Sequence, residues 1–409
     1  MAELKPFKAI RPRKDLVFMV SCPPYDVLTV EEVKKMTLGN PYSFLHVTRP
    51  DAIFEGIEDS TELYKIAKKT FDNMLKNGII FQEDTEKLYI YRQIKGEHVQ
   101  TGIVGCFSVD EYQNGKIKKH ELTRKEKEDD RTNHILSLNA NTGLVFLAYK
   151  ANQKLKSIIS SICEDEPEYD FISEDDVRNQ VFVVKDDDMK LLIDKFKEID
   201  ALYITDGHHR AAAAYRVREI KKAQNPKHTG KEEYNYFLAV VFPHDELKIL
   251  PYNRIVKNTG LSKDEFLKKL GENFSIEKVN DSFEPDRKHV FGVYIEGNWY
   301  KFEPKGSIVN EDDPVESLDV QILQRYVIHG IFGIEDPRRD KRIDFIGGIK
   351  GIKELERLVD SEEADYAFAL YPTSMEDLIR IAENGLIMPP KSTWFEPKLR
   401  SGLFVHILD

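Results

Sequence analysis

A chain of 409 residues exceeds one typical hydrophobic core and is expected to divide into two or three domains or lobes. With 41% hydrophobic and 32% charged residues it reads as a globular protein with a sizeable core, and a formal net charge of −11 argues against nucleic acid as the main partner. Three scattered cysteines, Cys22, Cys106 and Cys163, exclude a disulfide framework and a cysteine zinc site and imply a reducing cytoplasm; no apolar run approaches membrane-spanning length, and the N-terminus lacks a signal-peptide core.

The first 60 residues carry a short β-type run, Leu16 to Val20, which stops at Ser21-Cys22-Pro23-Pro24-Tyr25-Asp26-Val27. Two successive prolines exclude helix and central strand, so Tyr25 and Asp26 are expected on a stiff loop suited to binding. Asn40 to Pro50 again joins prolines to aromatics, with a strand ending at Arg49. Domain-edge loops wedged by aromatic packing account for both stretches equally well. From Ser60 to Gly78, Leu63, Ile66, Ala67, Phe71, Met74 and Leu75 form a helical apolar stripe. Leu88 to Ile94 and Val99 to Val109 read as two strands of a hairpin entering a mixed sheet.

Lys118 to His134 is densely charged. In helical geometry Glu121, Arg124, Glu128, Arg131 and His134 follow steps of three or four and share a face. Such a stripe is normally a solvated face of ion pairs. A carboxylate beside arginines is also what a proton acceptor at a phosphate site needs, which makes Glu121 the candidate base.

Asn139 to Gly143 is a polar break before Leu144 to Tyr149, a continuous apolar run expected as a buried central strand. Lys150 to Ile162 reads as a helix, Val181 to Val184 as a strand and Met189 to Phe196 as a short helix. In Ala201 to Ala214, apolar Leu202, Tyr203 and Ile204 break at Asp206-Gly207 and restart as alanine-rich sequence: a strand, a tight turn and a helix start. The first turn of that helix offers unpaired N–H groups and carries His208, His209 and Arg210, a corner suited to holding phosphate. Tyr236 to Phe242 returns to the sheet, and from Gly260 helix and strand alternate. Gly347 to Lys353 is glycine-rich but is neither a P-loop nor a dinucleotide fingerprint. Near the C-terminus, Lys391, Ser392, Thr393 and Lys398 stand among prolines and aromatics as a second cationic wall for a phosphate, or as a loop packing back on the body.

Phosphoryl transfer needs cations around the moving group, an in-line acceptor and a base. Asp206 is the expected Mg2+ ligand, His208, His209, Arg210 and the C-terminal lysines the expected neutralising groups, and Glu121 the base. Zinc held by Asp206, His208 and His209 is disfavoured, because adjacent histidine side chains diverge. A Cys22 nucleophile has no partner in sequence to support it.

At Asp206-Gly-His-His-Arg-Ala-Ala-Ala the chain resembles the ParB/sulfiredoxin superfamily, whose members open a helix with a phosphate-binding Gly-x-x-Arg turn. Residues 22–27, 40–47, 120–123, 206–210 and 388–398 extend the likeness to a bacterial and archaeal family of unknown function with a loose ParB-like label. The superfamily includes kinases of free L-serine that use ADP, ATP or, in long forms similar to this chain, inorganic pyrophosphate. The resemblance implies Glu121 as base, with Asp206 and His209 catalytic beside it. It implies phosphate or substrate contacts from Tyr25, Asp26, His120, Thr123, Arg124, Arg131, His134, Gly207, His208, Arg210, Lys391, Ser392, Thr393 and Lys398. The sulfiredoxin cysteine is replaced here by His208, and no helix-turn-helix is evident. The expected fold is α/β (α+β): a mixed-sheet ParB/sulfiredoxin-like core at 86–258, an N-terminal lobe with proline-rich loops at 1–85 and a C-terminal α/β lobe at 259–409. The expected activity is Mg2+-assisted phosphorylation of L-serine from pyrophosphate, ADP or ATP, in the cytoplasm and without nucleic-acid or membrane partners. The alternative is a ParB-like nucleotide-binding regulator or DNA-partition protein without kinase activity.

Overall fold

The computed structural model describes residues 2–54 and 56–409; Met1 and Glu55, both within the expected 1–85 lobe, lie outside the described residues. The chain forms two compact units, Met1–Leu247 with Pro397–Asp409, and Lys248–Glu396. These boundaries, at 247 and 396, differ from the sequence-derived ones at 85 and 258. Residues before 85 share a unit with the large sheet, and the last thirteen residues of the chain rejoin it through bridges of Val405 to Ile10 and Ser401 to Cys22.

The first unit is built on an eight-stranded sheet. In chain order its strands are β1 (Tyr89–Lys95), β2 (His98–Ser108), β3 (Ile117–Lys118), β4 (Val145–Tyr149), β5 (Tyr169–Ile172), β6 (Arg178–Val183), β7 (Leu202–Asp206) and β8 (Tyr236–Pro243). They lie in the order β3-β7-β4-β8-β2-β1-β6-β5. The pairings β7 with β3 and β8 with β4 are parallel and the others antiparallel, so the sheet is mixed and the fold α+β, as expected. The apolar run ending at Tyr149 is fully buried in β4, as a strand covered on both faces must be. The longer helices of the same unit are α1 (Ser60–Lys76), α2 (Lys125–Leu138), α3 (Gln153–Ile162), α4 (Asp186–Phe196) and α5 (His208–Gln224). One apolar cluster joins Ile103, Val145, Leu147 and Val241 of the sheet to Leu155, Leu192 and Ala211 of α3, α4 and α5.

Two strands expected near the N-terminus are helical instead. Val17–Val20 is a helix in which Val17 and Val20, three apart, are buried while Phe18 is 53% exposed. A run this short suits either periodicity, and burial of the three-residue spacing decides it. Leu45–Thr48 is likewise helical and buries Leu45, Val47 and Thr48.

The second unit holds a six-stranded sheet, antiparallel throughout, of Tyr252–Val256, Phe274–Val279, Phe291–Ile295, Asn298–Pro304, Ile343–Gly347 and Tyr366–Leu370. Leu355 and Leu358 of the helix Gly351–Asp360 pack with Ala367 and Ala369, and an aromatic group of Phe266, Phe332, Tyr366 and Phe368 fills another part of the core. Among the described residues no helix is long and apolar enough to cross a membrane.

His134 ties α2 to the N-terminal helices: its ring Nε2 lies 3.0 Å from the Val47 carbonyl, and Tyr64 of α1 meets the ring edge-on. Burial, reinforced by Arg131, depresses its pKa from 6.5 to about 4. A depressed histidine contributes stability that is fully present above its unfolded pKa and is lost as pH falls through the folded one. His134 alone is therefore expected to take stability from the fold as pH falls from 6.5 to about 4, by roughly 1.4 kcal/mol per unit at the steepest. His134→Gln should make that slope shallower by this residue's share, the other buried histidines keeping theirs; an unchanged pH profile in the variant would refute the assignment.

Candidate functional site

The corner at residues 202–210 is set by three local features. Leu202 to Ile204 are buried in β7, and the pairing with β4 slips between Ile204 and Asp206, so Thr205 is an extra residue whose hydroxyl donates to the Phe146 carbonyl at 2.9 Å. A bulge of this kind re-aims the residue that follows it, here Asp206. Gly207 then takes φ 92°, and a Cβ there would stand 3.1 Å from both Cζ and Nε of Arg210. No other residue type meets both conditions without strain. Helix α5 starts at His208 without a side-chain cap on its first N–H groups.

Arg210 lies along this turn. Its Nη1 donates to the Leu144 carbonyl, and its Nη2 is 3.6 Å from Asp206 Oδ1 and 3.9 Å from Asp26 Oδ2. Its Nε is buried and has no hydrogen-bond partner among the described residues. On the other side Lys398 Nζ donates to Asp206 Oδ2 at 3.1 Å. Burial works against a charged Asp206, yet Lys398 and Arg210 outweigh it and hold the carboxyl well below the usual carboxylate range. Burial likewise opposes the charge on Arg210, and Asp26 and Asp206 more than offset it. The Pro-Pro loop thus brings Asp26 to the corner, while Tyr25 beside it stacks under Arg131, 4.1 Å from the ring centroid.

The surroundings of the histidines at this corner disfavour their charged forms. His208 is buried, its Nε2 accepts a long hydrogen bond of 3.5 Å from the His120 backbone N–H, and its Nδ1 is 4.0 Å from Glu121 Oε2. Burial, then the neighbouring His120, push His208 well below its ordinary pKa. Burial brings His120 down to about 4, and its ring meets that of His208 edge-on with centroids 4.5 Å apart. His209 accepts from the Arg124 backbone N–H at 3.1 Å and is lowered by burial and then by Arg124. The cations that face Asp206 are Arg210 and Lys398.

The expected helical stripe from Glu121 to His134 divides in two. Helix α2 begins at Lys125, and Glu121 sits on a bend before it. Strand β3 pairs in parallel with β7 up to Lys118, which carries the next residues past the strand end and puts His120 and Glu121 beside His208. Farther along, Thr123 donates to Glu128, Arg131 to Asp130 at 2.6 Å, and His134 meets Val47. Lys391, Ser392 and Thr393 belong to the second unit: Lys391 lies 5.4 Å over the Tyr252 ring, and the Ser392 hydroxyl donates to the Pro389 carbonyl. Sequence reasoning missed Gly143 and Leu144, which seat Arg210; the polar break at 139–143 was the available signal. Cys22 is buried and its thiol is pushed up to about 12 by that burial, which leaves it unreactive.

The carboxylates of Asp206 and Asp26 are hard oxygen donors near the corner. A further set of residues, His120, Glu121 and His208, places one ligand atom from each within 4.8 Å of the others.

The chain matches the family described as protein of unknown function DUF1015 over residues 4–321, and it belongs to that family. No curated protein matches it. Among solved structures it is similar to a free serine kinase variant in complex with ADP, at 14% identity over 71% of this chain and 87% of the other, with a TM-score of 0.35. It is similar to a conserved hypothetical protein from Pyrococcus furiosus, at 14% identity over 74% and 95% of the two chains and a TM-score of 0.36. A third likeness is to C-terminally truncated SbnI from Staphylococcus aureus, at 11% identity over 74% and 87% and a TM-score of 0.37.

Proposed function

We propose that the first unit transfers a phosphoryl group to the hydroxyl of free L-serine, with inorganic pyrophosphate as the favoured donor over ADP or ATP. The observation that carries the reading is the corner itself. A buried arginine with an unsatisfied Nε and a lysine converge on Asp206 at an uncapped helix N-terminus, and a carboxylate, Glu121, stands on the loop beside that helix's first residue. Arg210, Lys398 and the first N–H groups of α5 hold the donor, and charge on the departing phosphate is met by groups already in place. Glu121 accepts the serine proton as the oxygen attacks phosphorus in line; the bond to the departing phosphate breaks, leaving O-phosphoserine and inorganic phosphate. Asp206 and Asp26 suit Mg2+, which takes one or two carboxylates alongside phosphate oxygens and would neutralise the donor. The choice of serine and of pyrophosphate rests on the motif resemblance at 22–27, 40–47, 120–123, 206–210 and 388–398.

The test is product formation. O-phosphoserine is expected from serine, pyrophosphate and Mg2+, followed by 31P NMR and mass spectrometry. No product with pyrophosphate, ADP or ATP would end this reading, and tight nucleotide binding without turnover would favour the regulatory alternative.

A further inference from the structure

We infer that His120, Glu121 and His208 form a site for a borderline transition-metal dication of the Zn2+ or Co2+ class, built from other residues than the oxygen-donor Mg2+ position, whose occupancy stops Glu121 from acting as a base. The regulatory half of this inference rests on the phosphotransfer reading; the binding half does not.

The geometry carries it. One ligand atom from each of the three residues lies within 4.8 Å of the others, and His208 Nδ1 is 4.0 Å from Glu121 Oε2. Donors about 2.0–2.1 Å from a tetrahedral ion are roughly 3.4 Å apart, so a small side-chain contraction closes the set. His120 is 2% exposed and its Nδ1 has no hydrogen-bond partner among the described residues, a state that buried polar atoms ordinarily avoid. The His208 Nε2 contact with the His120 N–H, at 3.5 Å, is weak enough to yield when the ring takes the tautomer that ligates through Nδ1. Two imidazole nitrogens and one carboxylate select borderline dications over Mg2+, which prefers oxygen. With three protein ligands the fourth position stays open to water or a phosphate oxygen. His120 and Glu121 follow β3 while His208 opens α5, so the parallel pairing of β3 with β7 assembles the set, and adjacency in sequence does not.

The whole chain, stripped of metal with chelator, is titrated with Co2+ and with Zn2+ alone. One equivalent of Co2+ is expected to give a visible d–d spectrum without a thiolate charge-transfer band, which excludes Cys22, Cys106 and Cys163 as ligands. Zn2+ should displace it. His208→Asn and Glu121→Gln are each expected to weaken binding on the order of tenfold or more, with circular dichroism confirming the fold; Glu121 lies on a partly exposed bend, so that variant keeps the test open if His208→Asn does not fold. If the protein makes phosphoserine, stoichiometric Zn2+ should lower the rate on the order of a hundredfold. Absence of stoichiometric binding, or binding unchanged in both variants, overturns the site; binding with undiminished turnover overturns the block. A protein that binds the metal and makes no phosphoserine leaves the site standing and removes only the proposed function.

Discussion

Glu121→Gln is expected to lower the turnover number for serine phosphorylation by about 10²–10⁴, with the Michaelis constant for the donor little changed. Glutamine keeps the size and hydrogen-bonding reach of glutamate but cannot accept the proton. The side chain is 40% exposed on the bend before α2, so the exchange leaves the core untouched and unfolding behaviour should match the wild type. A loss confined to turnover is the signature of a group that acts in the transition state; a raised donor constant at normal turnover would instead make Glu121 a binding residue. Turnover within a factor of about two of the wild type would remove Glu121 from the mechanism.

The two halves of the corner differed in how well the sequence announced them. Leu202 to Gly207 combines a β-type run, an abrupt Asp-Gly and an alanine run, and each signal is local; the strand ends at Asp206 and the helix starts at His208 as that pattern requires. Asn139 closes α2 in the left-handed conformation at φ 55°, again where a polar break stood. The start of α2 was not legible, because charges at three- and four-residue spacing stay solvated in either phase and so do not fix one. What fixes it is the pairing of β3 with β7, a contact between residues 85 apart that holds the chain extended through Lys118. The same limit hid the partner of Asp206. Lys398 stood in a motif with Lys391, Ser392 and Thr393, yet the boundary between the compact units falls at residue 396, and Lys398 reaches Asp206 because the last residues of the chain rejoin the first unit. Composition cannot report such a return. Nor could it report that burial would disfavour the charged forms of His208 and His209: two histidines before an arginine read as cations until their surroundings are known.

Arg210→Lys separates charge from shape at this corner, and the efficiency with pyrophosphate is expected to fall on the order of a hundredfold to a thousandfold, about 3 kcal/mol of transition-state stabilisation. A lysine keeps the positive charge between Asp206 and Asp26. It cannot also donate to the Leu144 carbonyl from one arm, face both carboxylates with another, and leave a third N–H directed elsewhere, as the guanidinium does. The seat is shaped for the fork: Gly207 and Gly143 leave room where a Cβ would come within 3.1 Å and 3.4 Å of Arg210 atoms. The loss should fall on the donor and not on serine, so the Michaelis constant for pyrophosphate rises together with the drop in turnover while that for serine holds. Wild-type efficiency in the lysine variant would mean that a point charge suffices, and the planar anion-binding role assigned to Arg210 would have to be given up.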